Sequence, residues 1–226
     1  MTGSHAPLLY PLVAEAARRV GANAVGLVDV GCAAGLSLAL DCVRIAYDTG
    51  QVLGDPTSPV EVTARVKGRT LLPTTTVPAV VARVGLDRAP LEADPDGSVA
   101  LTRENPPTLL RGDAVEALPE ALALVPEDAL PVVSTTWTLS HLSREKRLRF
   151  LQALDAAARP LAWVPAEGVG VAPAVPTFGD RPASGHSILG LALFDHSTLH
   201  VEAMGRCWSQ GRMLSWLGPT PGVNTA

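Results

Sequence analysis

Cysteine is scarce: the 226-residue chain has three, Cys32, Cys42 and Cys207, odd in number and widely scattered. That excludes a disulfide framework and suits a reducing compartment. No Lys/Arg-rich tract occurs and the formal net charge is −4, so nucleic acid is not expected as a partner. No apolar run approaches the roughly 18–20 residues of a membrane span. Met1–Pro7 shows no basic start followed by an apolar core, so neither a signal peptide nor a membrane partner is expected. A cytoplasmic location is predicted. Hydrophobic residues make up 47 % and charged residues 18 %, a globular balance, and the length suits one domain over 1–226.

What is present is organised around one stretch. Val25–Val30 is an apolar run broken only by Gly26 and Asp29, and Gly31-Cys32-Ala33-Ala34-Gly35 follows at once. After it, Leu36, Leu38, Leu40 and Val43 suggest a helix over Gly35–Tyr47. A strand, a glycine turn and a helix would bring free backbone N–H groups together where an anionic or polar ligand group can sit. The turn lacks the G-x-G-x-x-G of dinucleotide binding, which disfavours a nicotinamide-dependent oxidoreductase. It has the outline of a nucleophile elbow, but Ala33 stands where serine belongs, which excludes a serine hydrolase there.

The remaining chain alternates. Leu8–Val20 reads as an amphipathic helix with Glu15, Arg18 and Arg19 outside it. The stretch 48–78 carries turn signals and the period-2 segment Val60–Lys67, which predicts a small β-hairpin insertion. Core strands are expected at Val80–Asp87, Thr108–Ala114, Leu130–Trp137 and Leu161–Gly168. Helices are expected at Ser98–Glu104 (short), at Val115–Leu124, and from a Ser143 cap to about Ala158 with Leu148, Leu151 and Leu154 inward. A Gly/Pro-rich loop at 169–185, an antiparallel hairpin (Ile188–Phe194 and Leu199–Arg206) and a disordered tail at 218–226 complete the chain. The order predicts an α/β fold: a doubly wound, mostly parallel sheet ending in an antiparallel hairpin. In such sheets the ligand sits at the carboxyl ends of the strands. Asp87, Asp113, Trp137 and Glu167 all follow apolar runs there, beside the glycine turn. An acid after the second strand suits ribose hydroxyls, because a carboxylate accepts two hydrogen bonds from a vicinal diol.

The spacing D-x-G-x-x-x-G, from Asp29 through Gly31 to Gly35, resembles the first motif of class I S-adenosylmethionine-dependent methyltransferases. Ala33 stands where that family usually has a further glycine. The resemblance implies S-adenosylmethionine as cofactor. The turn of Asp29, Gly31, Ala33 and Gly35 would hold its methionine portion, Asp87 the ribose and Asp113 the adenine amino group. Trp137 and His141 follow the fourth strand, where such enzymes often place acceptor-contacting groups, and Trp137 is also a candidate cofactor contact. His141 and Glu167 are the candidate bases for a protonated acceptor, a small molecule.

Several segments also resemble a bacterial family known only as a domain of unknown function, number 2332. They are Val30–Leu36, Val81–Leu91, Arg111–Ala114, Leu142–Leu154 and Ala162–Gly168. The resemblance implies a methyltransferase-like fold and supplies no reaction. Family members usually carry a longer helical region before the glycine turn and serine at the position of Ala33. They also usually have a helical segment containing tryptophan and arginine where this chain has Asp94–Pro107. The shortened helices motivate a second expectation, a non-catalytic scaffold acting through its surface, as a homodimer or partner-binding module. His186, Asp195, His196 and His200 match no strong ligand spacing, and no metal is expected.

Overall fold

The computed structural model describes residues 5–68, 70–91, 106–195 and 198–218. The helix expected near Ser98–Glu104, His196 and the tail beyond Gly218 lie outside them. In chain order the elements are α1 (Ala6–Val20), β1 (Ala24–Val30), β2 (Arg44–Tyr47), β3 (Val52–Gly54), β4 (Glu61–Val66), β5 (Ala79–Asp87) and β6 (Thr108–Arg111). Then follow α2 (Leu118–Ala123), β7 (Leu130–Thr136), α3 (Arg144–Asp155), β8 (Leu161–Gly168), β9 (Ser187–Asp195), β10 (Thr198–Trp208) and β11 (Met213–Trp216). The strands form one mixed, mostly parallel sheet in the order β3-β2-β4-β11-β10-β9-β8-β7-β1-β5-β6.

Its parallel half is β6-β5-β1-β7-β8. Both faces of these strands are covered, so β1 and β8 are apolar almost throughout. Alternate residues serve opposite cores. Val25 and Leu27 join α1, whereas Val28 and Val30 join α2 and α3. The chain starts at β1 and adds β5 and β6 on one side, then returns to add β7 and β8 on the other. The order therefore reverses between β1 and β7.

α1 is enclosed rather than amphipathic. Leu8, Leu9, Leu12 and Val13 are buried, and so is Glu15, which the sequence placed outside. The reason is β2, β3 and β4. β2 and β3 form an antiparallel hairpin that is not separate from the main sheet: β2 also pairs parallel with β4, and β4 reaches β11. Ile45, Tyr47, Val62 and Ala64 from this edge share α1's core, so the helix has sheet residues on two sides. Pro11 cannot donate to the carbonyl of Pro7, and the Tyr47 hydroxyl supplies that bond at 2.8 Å. Glu15 is satisfied by Arg18 at 2.7 Å and Arg19 at 2.8 Å. Burial raises its pKa, and the two guanidinium groups outweigh that and hold it below its ordinary value.

The helix expected over Gly35–Tyr47 is one 3-10 turn, Leu36–Ala39, and Arg44–Tyr47 is strand β2. Arg83 on β5 competes for the backbone here. Its guanidinium hydrogen-bonds the Leu38 carbonyl and grips Asp41 at 2.7 and 2.8 Å. Val43, Ile45 and Tyr47 also read with period 2, and all three are buried. With this helix absent, α1 covers the face, and the regular strand–helix winding expected of the fold is incomplete.

On the other face α3 begins at its expected cap, where Ser143 Oγ accepts from the Lys146 N–H at 3.3 Å. It ends at Asp155, short of Ala158. Phe150 and Leu154 face inward, and Phe150 meets Trp163 edge-on with ring centroids 5.9 Å apart. Leu148, expected inside, is 47 % exposed. α2 is shorter than the expected helix at Val115–Leu124. The C-terminal hairpin forms between β9 and β10, and β11, unforeseen, extends it. Among the described residues no helix is long and apolar enough to cross a membrane.

Candidate functional site

A cleft of about 340 Å³ opens at the carboxyl ends of β1, β5 and β7, where the strand order reverses. Its walls include Gly31, Asp87, Arg88, Trp137, Thr138 and His141. Four residues singled out from sequence therefore meet there: Gly31, Asp87, Trp137 and His141. The other five lie behind or beside it.

Gly31 has φ +81°, and a Cβ on it would lie 2.2 Å from Thr138 Oγ1. The space that a glycine leaves is thus filled by the protein's own Thr138, whose hydroxyl donates to the Val30 carbonyl at 2.8 Å. Asp87 is a clamp on the same turn. Its Oδ2 accepts from the Ala33 N–H at 3.1 Å and its Oδ1 from the Ala89 N–H at 2.9 Å. Ala33 itself is left-handed, φ +48°, so this clamp supports a conformation that alanine rarely adopts. Gly35, φ +72°, ends the turn by donating to the Cys32 carbonyl at 2.7 Å. Ala33 and Gly35 do not line the cleft.

Asp29 is buried on the α1 side of β1 and accepts from the Ser134 hydroxyl at 2.7 Å. Burial lifts its pKa to about 7, with a smaller push from Asp87 and a counter-effect from Ser134. Cys32 sits nearby, and burial with those same two acids raises its thiol to about 12, so it is not a nucleophile at neutral pH.

Asp113 stands beside the cleft with its carboxylate engaged. Oδ2 takes Lys146 at 2.8 Å and Arg88 at 2.9 Å, and Oδ1 takes the Val115 N–H at 3.0 Å. The Lys146 contact leads the Val115 and Arg88 contacts in holding it well below the ordinary carboxylate range.

Glu167 is buried beneath the turn that leaves β7. Its Oε1 accepts from the Thr138 and Leu139 N–H groups, both at 3.0 Å, which positions that turn. Burial raises its pKa to about 7 against those backbone bonds and the nearby Thr135 hydroxyl. Its other oxygen, Oε2, is buried without a hydrogen-bond partner among the described residues, and Glu167 does not line the cleft.

Trp137 is the least ordinary residue. A tryptophan at φ +54° is an outlier, and the surroundings hold it there. Its N–H donates to the Ala166 carbonyl at 3.0 Å and its Nε1 to Ser187 Oγ at 2.8 Å. Its carbonyl accepts from the Ser140 hydroxyl at 2.8 Å. The sequence reading found Trp137 but passed over Thr138 and Arg88. The signal for Thr138 was the run Thr136-Trp137-Thr138, polar on both sides of an indole at a strand end.

Comparison with curated proteins gives no match. A family model described as an uncharacterized protein conserved in bacteria, DUF2332, matches residues 3–101 and 93–216, and the chain belongs to that family.

Proposed function

We propose that the cleft at the β1–β7 reversal binds a ribose-bearing small molecule, with S-adenosylmethionine as the candidate. The observation that carries this is the strand order. Numbered by appearance among the parallel strands, β6-β5-β1-β7-β8 is 3-2-1-4-5. Doubly wound sheets of that order take nucleotide ligands at the reversal point. Asp87 ends the second of these strands and lines the cleft. Its two backbone bonds leave lone pairs free, enough to accept from a vicinal diol.

The fit is good at the ribose end and poor elsewhere. Thr138 fills the space over Gly31, and no α-helix starts at the turn to offer its N–H groups to a methionine carboxylate. Asp113 already serves two cations. No methyl-transfer step is therefore assigned to these residues.

Those disagreements favour a second reading, a non-catalytic member of the fold acting as a scaffold or partner-binding module. One titration separates the two. Calorimetry with S-adenosylmethionine and its demethylated product should show saturable heat. Asp87→Ala should weaken that binding by on the order of tenfold to a thousandfold, since it removes two charge-assisted bonds. Folded protein giving no heat at millimolar ligand would leave the scaffold reading.

A further inference from the structure

A second cleft, about 750 Å³, opens beside the start of α1. Trp137 belongs to both clefts. Here it meets His5 edge-on, ring centroids 5.1 Å apart. A second pair, His186 and Trp208, lines the same space at 5.4 Å. The Trp137 Nε1–Ser187 hydrogen bond ties the two pairs together. Three successive left-handed residues, Ser209 at φ 53°, Gln210 at φ 54° and Gly211 at φ 87°, form another wall. Left-handed non-glycine backbone is costly and collects at binding sites.

The charges in this cleft do not balance. Glu61 is a lining carboxylate, and Arg44 already pairs with it. Arg212 also lines the space and has no ion-pair partner among the described residues. Lys67 Nζ lies 4.6 Å from the Trp208 ring, likewise without a carboxylate. His186 offers no free nitrogen: Nε2 faces Asp180 at 2.8 Å and Nδ1 the Ser184 carbonyl at 3.2 Å. Asp180 is in turn fixed by Arg206 at 2.6 Å. His186 therefore contributes a fixed ring, and the uncompensated charge of the cleft is positive in a chain of net charge −4.

We propose that this cleft binds a small planar aromatic carboxylate, its ring against Trp137 and Trp208 and its carboxylate at Arg212. Aromatic walls recognise a flat π-system by offset or edge contacts. A guanidinium recognises a carboxylate by paired N–H···O bonds. The proposal does not rest on the nucleoside reading, and either can fail alone.

The four tryptophans make the test local. Trp137 and Trp208 line the cleft, whereas Trp163 and Trp216 are fully buried. Their indole N–H signals can be followed by NMR in the full chain, assigned through single Trp→Phe variants. The probes are 2-naphthoate, the neutral 2-naphthamide and acetate. Naphthoate should shift the Trp137 and Trp208 signals saturably and leave the other two in place. Arg212→Gln should weaken it on the order of tenfold with an unchanged melting temperature, because the residue is exposed. Lys67→Gln, also exposed, should weaken it less. Equal binding of the amide, the same shifts with acetate, or no saturable shift at either indole would overturn the proposal.

Discussion

Two turns leave adjacent parallel strands at the reversal of the sheet, and they differ in what their polar groups are used for. The turn after β1 carries the recognisable glycine motif, yet its resources are spent inside the protein. Thr138 occupies the space over Gly31, Asp87 holds the Ala33 N–H, and Asp29 lies buried against Ser134. The turn after β7 carries no motif. It is held from below by Glu167, and it presents a left-handed Trp137 to both clefts. A motif visible in sequence can thus be the framework, with the residue that faces the clefts on the less conspicuous neighbour.

Gly31→Ala tests this contrast most severely. A left-handed φ costs roughly 1–2 kcal/mol in alanine, and the clash with Thr138 adds roughly 1–3 kcal/mol. A combined loss of about 3 kcal/mol should lower the unfolding midpoint in urea. Adding Thr138→Ala should restore part of it, since the nearest clashing atoms, Oγ1 at 2.2 Å and Cγ2 at 2.7 Å, are then gone. If Gly31→Ala is tolerated, the turn after β1 is open space, and the contrast fails.

Asp29→Asn should act in the opposite direction. Burial raises the Asp29 pKa from 3.8 to about 7. Between about pH 4 and 7 the folded chain keeps a proton that the unfolded chain has released. Its contribution to stability therefore falls as pH rises through that window. Asparagine can still accept from Ser134 and carries no charge to bury. The variant should melt higher than the parent at pH 8, by a gain on the order of 1–3 kcal/mol, and equally at pH 4. A variant less stable than the parent at pH 8 would mean that Asp29 is ionised and compensated in the folded chain, against the burial argument.

Much of the parallel half was legible because its signals are local. The runs Val25–Val30, Val80–Asp87 and Leu161–Gly168 became β1, β5 and β8, and Ser143 caps α3 where its side chain can reach a free N–H. The missed features depend on partners far away in sequence. Arg83 stops the helix after Gly35 from 42 residues beyond Asp41. β4 meets β11 through Arg65–Met213 and Val66–Leu214 alone, a pairing with no local trace. Enclosure by that edge is what buries Glu15. Leu148 and Phe150 differ by two residues on a helix that reads ambiguously, and packing on Trp163 selected Phe150. For the site, acids at strand ends were visible. Whether each carboxylate faced a ligand, a cation or a backbone N–H depended on neighbours that spacing does not reveal.

The smallest effect is expected at Asp113, and it decides what that acid is for. Lys146 and Arg88 both contact Oδ2, and the Val115 N–H contacts Oδ1. The Arg88 side chain is 62 % exposed and that of Lys146 37 %, so water and salt screen both pairs. Asp113→Asn keeps an oxygen for Val115 and loses the two ion pairs, a cost of about 0.5–1 kcal/mol that shrinks in 1 M salt. The pH dependence has the ordinary sign for a depressed acid. The Asp113 contribution is full above its unfolded value of 3.8 and is lost as pH falls below it. Parent and variant should therefore converge in stability at the acid end and differ slightly at pH 7. Calorimetric affinity for S-adenosylmethionine, if that ligand binds, should be the same in both, because the carboxylate is committed to the protein's own cations. An affinity loss of tenfold or more without a change in melting temperature would show instead that Asp113 reads the adenine amino group. The ion pairs would then yield to the ligand, and the turn after β6 would join that after β7 on the exposed side of the comparison.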